Sequence, residues 1–296
     1  MVIAINYADE KFRNAQKLNT RTAKKWGADK VIEYSFKDID SRFVERNKNI
    51  FNYERGAGYW LWKPYIILKT LEIMEDGDFL IYSDSGSAFV NKISYLINTC
   101  NRDKRDVMCF CIDQQERKWD KRDAIVLMNA DKEEILNSNQ ICATYILVKK
   151  TVNSVNLIKE YLNYAQDVRI LTDEPNVMGY ENYPEFKENR HDQTIWSLLC
   201  KTRGILPYRD PSEYGMSDEF FPRDVLMRST YPQIIESHRR KDIKYIFELK
   251  YATQWYHSIL RFFYPKTSPL RRYSLKLCIL GVLGKIKRVI TNFREK

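Results

Sequence analysis

Several widespread functional motifs are missing from this chain of 296 residues. It contains no G-x-G-x-x-G, Walker A, G-x-S-x-G or H-E-x-x-H pattern, which argues against Rossmann oxidoreductases, P-loop enzymes, serine hydrolases and zincins. Glycine and proline number only 10 and 9, so the composition is neither fibrous nor typical of disorder. No apolar run approaches the ~20 residues that span a bilayer, and no secretory signal precedes the first apolar segment.

Cysteine is also sparse, and the six cysteines form no C-x-x-C pair. Cys109 and Cys111 lie in one apolar segment without the further ligands that zinc needs. Apolar neighbours predict reduced thiols inside the core. This usage is typical of a cytosolic protein.

The charge is unevenly distributed along the chain. The net charge is +10, yet residues 261–296 hold ten Lys or Arg and one acidic residue, a local +9. The remaining 260 residues carry 39 basic and 38 acidic residues, or +1. Because the charges of residues 1–260 nearly cancel, this part of the chain is not typical of a nucleic-acid-binding domain, and we expect no nucleic-acid partner.

Apolar segments with the spacing of strands and of helices alternate along the body. Val2–Ile5 and Lys30–Tyr34 read as strands with a helix between them, from Glu10 to Trp26. Further helices are predicted near residues 38–50, 64–76, 91–100, 120–128, 151–165 and 191–203, and further strands at 79–82, 106–112 and 143–148. The alternation predicts one α/β domain with a mostly parallel sheet.

The chain is organised around a predicted strand, Phe79–Tyr82, that stops at Ser83-Asp84-Ser85-Gly86. Ligands of open α/β sheets bind at the carboxyl ends of strands, so Asp84 is a candidate ligand of a metal-bound phosphate. An ordinary turn after a core strand is the alternative. Asp76-Gly-Asp78 has D-x-D spacing but precedes its strand, which favours a turn.

Three further groups are candidates for chemistry. Lys63 follows two tryptophans in the segment Gly56–Pro64. These aromatic residues and the lysine would suit a sugar nucleotide, or the tryptophans are buried in an ordinary core loop. Asp192 in His191–Thr194 stands at a helix start, where it would clamp sugar hydroxyls or merely cap the helix. His238 lies in Glu236–Lys241, which would bind a metal and a phosphate or form an exposed basic turn.

The segments Gly56–Tyr65, Gly77–Gly86 and Asn189–Thr194, in that order, resemble GT-A-type glycosyltransferases of bacterial capsule and lipopolysaccharide O-antigen assembly. The resemblance covers about residues 1–240. It implies a GT-A-like, Rossmann-like sheet flanked by helices in a domain we place at 1–264. It also implies a nucleotide-sugar donor, most simply a UDP-sugar, and an enzyme working at the cytoplasmic face of the plasma membrane.

The same resemblance implies roles for individual residues. Asp84 matches the first acidic position of the family D-x-D motif, but Gly86 replaces the second, so His238 is expected to supply the missing ligand of Mn²⁺ or Mg²⁺. Asp192 and Gln193 match a catalytic pair of retaining hexosyltransferases. The donor is expected at Asn6, Tyr7, Trp62, Lys63, Asp84, Ser85, Gly86 and Arg239, and the acceptor at His191 and Tyr59.

Two other functions fit parts of the sequence. A nucleotidyltransferase acting on sugar phosphates shares the α/β form, but residues 6–13 lack the glycine-rich basic loop that such enzymes carry after the first strand. A non-enzymatic membrane adaptor would use the basic tail and leaves the polar motifs of the body unexplained.

The tail, residues 265–296, forms a separate predicted unit. Apolar residues from Leu275 to Phe293 fall at helical spacing, with Lys and Arg off that face or at its margins. Such a helix lies in an anionic membrane interface, where a lipid-linked acceptor would be found, or docks on the body.

We predict that residues 266–296 hold the protein on anionic membranes. Each Lys or Arg near such a surface contributes about 1 kcal/mol, screened within a Debye length. Sedimentation with anionic liposomes should therefore weaken sharply with salt and exceed binding to neutral liposomes. A chain ending at Tyr264 should stay folded and lose binding. Equal binding by the shortened chain would favour the docked helix.

Overall fold

A computed structural model of the chain describes residues 1–216 and 221–240. The chain divides into two compact units, 1–239 and 240–296. The predicted tail helix, Cys278 and the predicted boundary after residue 264 lie outside the described residues. Within the described part, no helix is long and apolar enough to span a membrane.

The first unit is built on a six-stranded sheet in the order β2-β1-β3-β6-β5-β7. Strand β6 runs antiparallel to both of its neighbours, and the other pairings are parallel. A small second sheet pairs β4 with β8. The strands are β1 (Val2–Tyr7), β2 (Lys30–Tyr34), β3 (Phe79–Ser83), β4 (Ala88–Phe89), β5 (Val107–Gln115), β6 (Asn139–Lys149), β7 (Tyr208–Arg209) and β8 (Ile235–Glu236). The predicted α/β class with a mostly parallel sheet is confirmed.

Helices cover both faces of the sheet, and the apolar residues form one core cluster on each face. The helices are α1 (Arg13–Lys25), α2 (Ser41–Arg46), α3 (Lys48–Phe51), α4 (Gly56–Tyr59), α5 (Trp62–Glu72), α6 (Ser94–Arg102), α7 (Glu116–Trp119), α8 (Arg122–Leu127), α9 (Glu133–Leu136), α10 (Val152–Ala165), α11 (Val168–Leu171), α12 (Asp192–Thr202) and α13 (Arg223–Arg228). Five of the cysteines are free and buried, which confirms the prediction of core thiols for those positions.

Strand direction gathers polar residues at one edge of the sheet. The carboxyl ends of β1, β3, β5 and β7 share this edge because these strands run the same way. Thr144 on the antiparallel β6 reaches the same edge, where its carbonyl accepts the N–H of Asp84 at 3.0 Å. Segments after several strands therefore meet here, as in other open α/β sheets.

The short segment α4 and Trp60 after it form a left-handed turn rather than an ordinary helix. All five residues of Gly56–Trp60 have positive φ, between 49° and 89°. A left-handed conformation costs roughly 1–2 kcal/mol for each non-glycine residue. The Trp62 indole N–H bonds the Gly56 carbonyl at 2.9 Å and so closes the turn. Strain of this kind persists where surrounding contacts over-determine it, which is common at functional sites.

The turn provides a test of the fold. A Cβ on Gly58 would lie 2.8 Å from Phe51 Cδ1, whereas one on Gly27 (φ 112°) meets nothing within 4 Å. Gly27→Ala should therefore cost only the left-handed strain, roughly 1–2 kcal/mol. Gly58→Ala should cost roughly 1–3 kcal/mol more, because it also overpacks the loop. Urea unfolding of both variants measures the difference, and equal losses would contradict this packing.

Candidate active site

The Asp84 carboxylate stands at the carboxyl end of β3 on a firmly held turn. The Asn19 amide of α1 donates to Ser83 Oγ at 2.8 Å and to the Ser87 carbonyl at 3.0 Å. Ser85 Oγ donates to the Tyr7 carbonyl at 2.6 Å, which ties the turn to the end of β1. The Asp84 side chain remains 39% exposed and can contact a ligand.

A buried lysine stands behind Asp84. Lys63 is only 3% exposed, and its Nζ lies 2.5 Å from Asp192 Oδ2 and 3.5 Å from Asp84 Oδ1. It also donates to the Ala143 carbonyl at 3.1 Å. The Tyr82 hydroxyl donates to Asp84 Oδ1 at 2.5 Å. One interior ammonium therefore joins α5, β3 and the start of α12.

Burial and pairing shift the pKa values of this group. Burial lowers the pKa of Lys63, but attraction to Asp192 and Asp84 outweighs it, so the pKa lies above the ordinary lysine value. Burial raises the pKa of Asp192 to about 6, against the pull of Lys63. At pH 7 the pair is therefore ionised, with its charges compensated inside the protein.

A first cleft of about 560 Å³ opens in front of Asp84. Tyr7 and Trp62 line it, and their rings stack with centroids 3.7 Å apart and an interplanar angle of 14°. The remaining lining comes from the segments after β1 and β3, from the left-handed turn, and from Thr144, Arg190, Ser237 and Arg239. The lining also includes the carboxylates of Asp9 and Glu54. Flat aromatic walls beside Asp84 and two arginines suit a nucleotide with a diphosphate.

A second cleft of about 480 Å³ adjoins the first and shares four lining residues with it, Thr144, Arg190, Ser237 and Arg239. Its own lining includes Asp113, Gln193 and Asp210, with Tyr214 and Phe221 as apolar surface. Burial raises the pKa of Asp210 to about 6. Carboxyl groups beside aromatic surface suit a sugar with several hydroxyl groups.

Two arginines stand where the clefts meet. The Arg239 N–H donates to the Gly86 carbonyl at 2.7 Å, and a Cβ on Gly86 would approach Arg239 Cα to 3.3 Å. The Arg190 guanidinium lies 4.0 Å from the centroid of the Trp119 ring and pairs with Glu188 at 3.2 Å. Arg190 was not predicted as a site residue, although it immediately precedes the His191–Thr194 motif.

The structure places four predicted ligand contacts inside the protein. Lys63, expected at the donor, lines neither cleft and instead pairs with Asp192 and Asp84. Asn6 is fully buried, and its amide donates to Asn19 Oδ1 at 2.8 Å, so it supports the turn rather than a nucleotide base. The His191 ring packs at a tilt against Tyr59, with ring centroids 4.6 Å apart, and its Nδ1 bonds the Leu171 carbonyl at 2.9 Å. Both side chains are buried and neither belongs to the lining of either cleft, so they hold the loop rather than an acceptor.

The predicted catalytic pair is divided by the structure. Asp192 is 4% exposed and lies outside the lining of both clefts, so its contact is with Lys63. Gln193 lines the second cleft. Ser85 and Gly86 line the first cleft with Asp84, as expected for residues of one turn.

A divalent ion would find a partial set of ligands here. Among residues 1–216 and 221–240, no group of three or more His, Cys, Asp or Glu side chains is arranged to hold a metal. Asp84 offers an accessible carboxylate, and the bond from Arg239 to Gly86 brings the chain at His238 to the same turn. The Asp84 carboxylate suits an ion such as Mg²⁺ that takes its other ligands from a diphosphate and water, whereas His238 lines neither cleft.

No family model and no curated protein sequence matches the chain. Solved structures to which the chain is similar include three glycosyltransferases. Mouse xyloside xylosyltransferase 1 is 10% identical, with a TM-score of 0.39 over 80% of this chain and 96% of that one. The galactosyltransferase LgtC, solved with donor and acceptor sugar analogues, is 14% identical, with a TM-score of 0.42 over 80% and 86%. The bifunctional glycosyltransferase WbbM is 11% identical, with a TM-score of 0.42 over 79% and 45%.

The buried ion pair predicts a pH-dependent stability defect. Lys63→Met leaves Asp192 without its counter-ion, which should cost roughly 3–5 kcal/mol at pH 8. The folded-state pKa of Asp192 already lies above its ordinary value of 3.8, and it should rise further in the variant. The folded variant then binds a proton more readily than the unfolded chain, so lowering the pH stabilises it.

Denaturant unfolding at pH 5 and pH 8 tests this prediction. The loss relative to the native chain should be smaller at pH 5. Adding Asp192→Asn to Lys63→Met should recover part of the loss at pH 8, because the unpaired charge is removed. A loss that is independent of pH would assign the defect to packing alone.

Proposed function

We propose that the protein is a glycosyltransferase that moves a hexose from a nucleotide sugar, most simply a UDP-sugar, to a glycan or lipid-linked acceptor. The observation that carries this proposal is the pair of adjoining clefts that share Thr144, Arg190, Ser237 and Arg239. A donor in the first cleft and an acceptor in the second would bring their reacting atoms together at this shared wall.

The first cleft supports the donor assignment by its charge and shape. The base would lie near Tyr7 and Trp62, and the diphosphate near Arg190 and Arg239, which are the cations in the lining. Transfer builds negative charge on the departing diphosphate, and fixed cations that face it stabilise the transition state. Lys63 contributes from behind the wall by holding Asp84 in place.

Asp84 and His238 are the residues that would hold Mn²⁺ or Mg²⁺ in this proposal. The ion would act as a Lewis acid on the diphosphate. The contribution of the protein is to place one carboxylate at the mouth of the first cleft, with one oxygen fixed by the Tyr82 hydroxyl.

The second cleft supports a hydroxyl-rich acceptor. Asp113 and Asp210 can accept hydrogen bonds from hydroxyls, and Tyr214 and Phe221 offer apolar surface to a sugar ring. Gln193 belongs to this cleft and would face the transferred sugar. Retention of configuration and a role in bacterial capsule or O-antigen assembly complete the proposal on the sequence resemblance. Attachment to the inner membrane face through residues 266–296 is proposed from the basic charge and apolar spacing of that segment.

Binding and turnover together test this function. We expect UDP- or GDP-hexoses to raise the melting temperature, more so with Mn²⁺, and purified protein to release the nucleotide slowly from the preferred donor. No release from any nucleotide hexose, together with pyrophosphate release from a nucleoside triphosphate and a sugar phosphate, would favour nucleotidyl transfer instead.

The arginine at the shared wall gives a sharper prediction. A hydrogen bond to a charged group contributes about 1.5–3 kcal/mol, so Arg190→Gln should weaken UDP binding roughly tenfold or more by calorimetry. Arg203→Gln removes the same charge from an arginine outside both clefts and should leave the affinity unchanged. Equal affinities for the two variants would remove Arg190 from the donor site.

A further inference from the structure

A line of buried side chains leads from Gln193 into the protein. The Gln193 amide nitrogen, Nε2, donates to Gln140 Oε1 at 2.9 Å, and Gln140 Nε2 donates to Asp120 Oδ1 at 2.7 Å. Gln140 is fully buried and Asp120 is 1% exposed. The three residues come from α12, β6 and the end of α7, so the line joins separate parts of the fold.

The line ends at a second buried acid, Glu116. The Ser197 hydroxyl donates to Glu116 Oε1, and Lys201 Nζ lies 2.5 Å from the same oxygen. Glu116 Oε2 and Asp120 Oδ2 are buried, and the two acids are neighbours. Burial and the neighbouring Glu116 raise the pKa of Asp120 well above its ordinary value. Asp120 also has side-chain hydrogen bonds to Glu116, which raises its pKa, and to Thr194, which lowers it, so the carboxyl group is held inside the protein.

This arrangement determines the direction of every hydrogen bond in the line. Asp120 Oδ1 accepts from Gln140 Nε2, so the nitrogen of the Gln140 amide faces Asp120. The Gln140 oxygen then faces Gln193 and accepts a hydrogen bond from the Gln193 amide nitrogen. A reversed amide at either glutamine would bring two acceptors or two donors together, at a cost of about 1–3 kcal/mol for the unsatisfied groups.

We propose that Asp120 and Gln140 are positioning residues that fix the Gln193 amide with its nitrogen tied to the interior and its carbonyl oxygen assigned to the second cleft. No described side chain donates to that oxygen. The group recognised there is therefore a hydrogen-bond donor, and the chemical class that fits is a sugar hydroxyl rather than an anion. The hydroxyl assignment rests on the proposed function, whereas the orientation of the amide does not.

The orientation is tested by NMR on the full chain labelled with ¹⁵N, with the Gln193 side-chain NH₂ signals assigned by their loss in Gln193→Leu. In the native protein these signals should be resolved and protected from exchange with solvent. In Gln140→Leu they should shift towards solvent-exposed values and exchange at least tenfold faster. Unchanged signals in Gln140→Leu would overturn the proposal, whether or not the protein turns over a sugar nucleotide.

Kinetics test the consequence for the site, with release of UDP from UDP-hexoses as the probe. Gln140→Leu should lower kcat at least tenfold while the Kd for UDP stays within threefold. Gln16→Leu is the matched control, because it removes a similarly buried amide that donates to the Tyr34 carbonyl at 2.8 Å. An equal kcat loss in this control would show that the effect is general destabilisation and would overturn the positioning role.

Substitution of Asp120 tests the direction of the line. Asp120→Asn keeps an acceptor oxygen for Gln140 and offers an N–H to Glu116, so it should retain most of the turnover that Asp120→Leu loses. Equal losses in the two variants would contradict the direction of the hydrogen bonds in the line. If the native protein releases no nucleotide from any UDP-hexose, the proposed function fails, and the NMR measurement still decides the orientation.

Discussion

The structure depends on one buried charge, the ammonium of Lys63. An ammonium inside a protein is tolerated only when anions and hydrogen-bond acceptors surround it. Asp192, Asp84 and the Ala143 carbonyl supply them here, from α12, the end of β3 and β6. Because this requirement is met from three directions, it holds the start of α12 against the carboxyl edge of the sheet. The geometry of both clefts follows from that placement.

The contacts that support the site therefore lie in the protein interior beneath it, not in the loops that face the clefts. The left-handed turn Gly56–Trp60 is held by the Trp62 indole and by the contact of the Tyr59 ring with the His191 ring. Residues whose types suggested ligand contacts thus make their polar contacts with other groups of the protein. The groups left for ligands are few, chiefly the Asp84 carboxylate, the two arginines of the shared wall and the acids of the second cleft. A precise site needs supporting residues that are themselves held rigid, so we expect separate residues for support and for ligand contact.

Some functional residues carry little signal in the sequence. Arg190 adjoins a recognisable motif, yet arginines before helices are common, and only the fold shows it at the meeting point of two clefts. Gln140 is one of several polar residues in β6, so its residue type gives little hint of a role. Asp120 and Glu116 resemble surface acids by sequence, and their burial depends on Lys201 and Ser197 from α12.

The sequence alone determined the α/β class, the strand that ends at Asp84 and the helix that begins near Asp192, because such features follow from local apolar spacing and turn residues. The closeness of Asp84 and Lys63 was an expectation from the resemblance, and the order of the strands was not predicted. Tertiary structure decided that β6 runs antiparallel, that Asp192 faces Lys63 and that His191 is buried. These outcomes depend on long-range packing and on the need to compensate buried charge, and neither constraint is visible in short stretches of sequence.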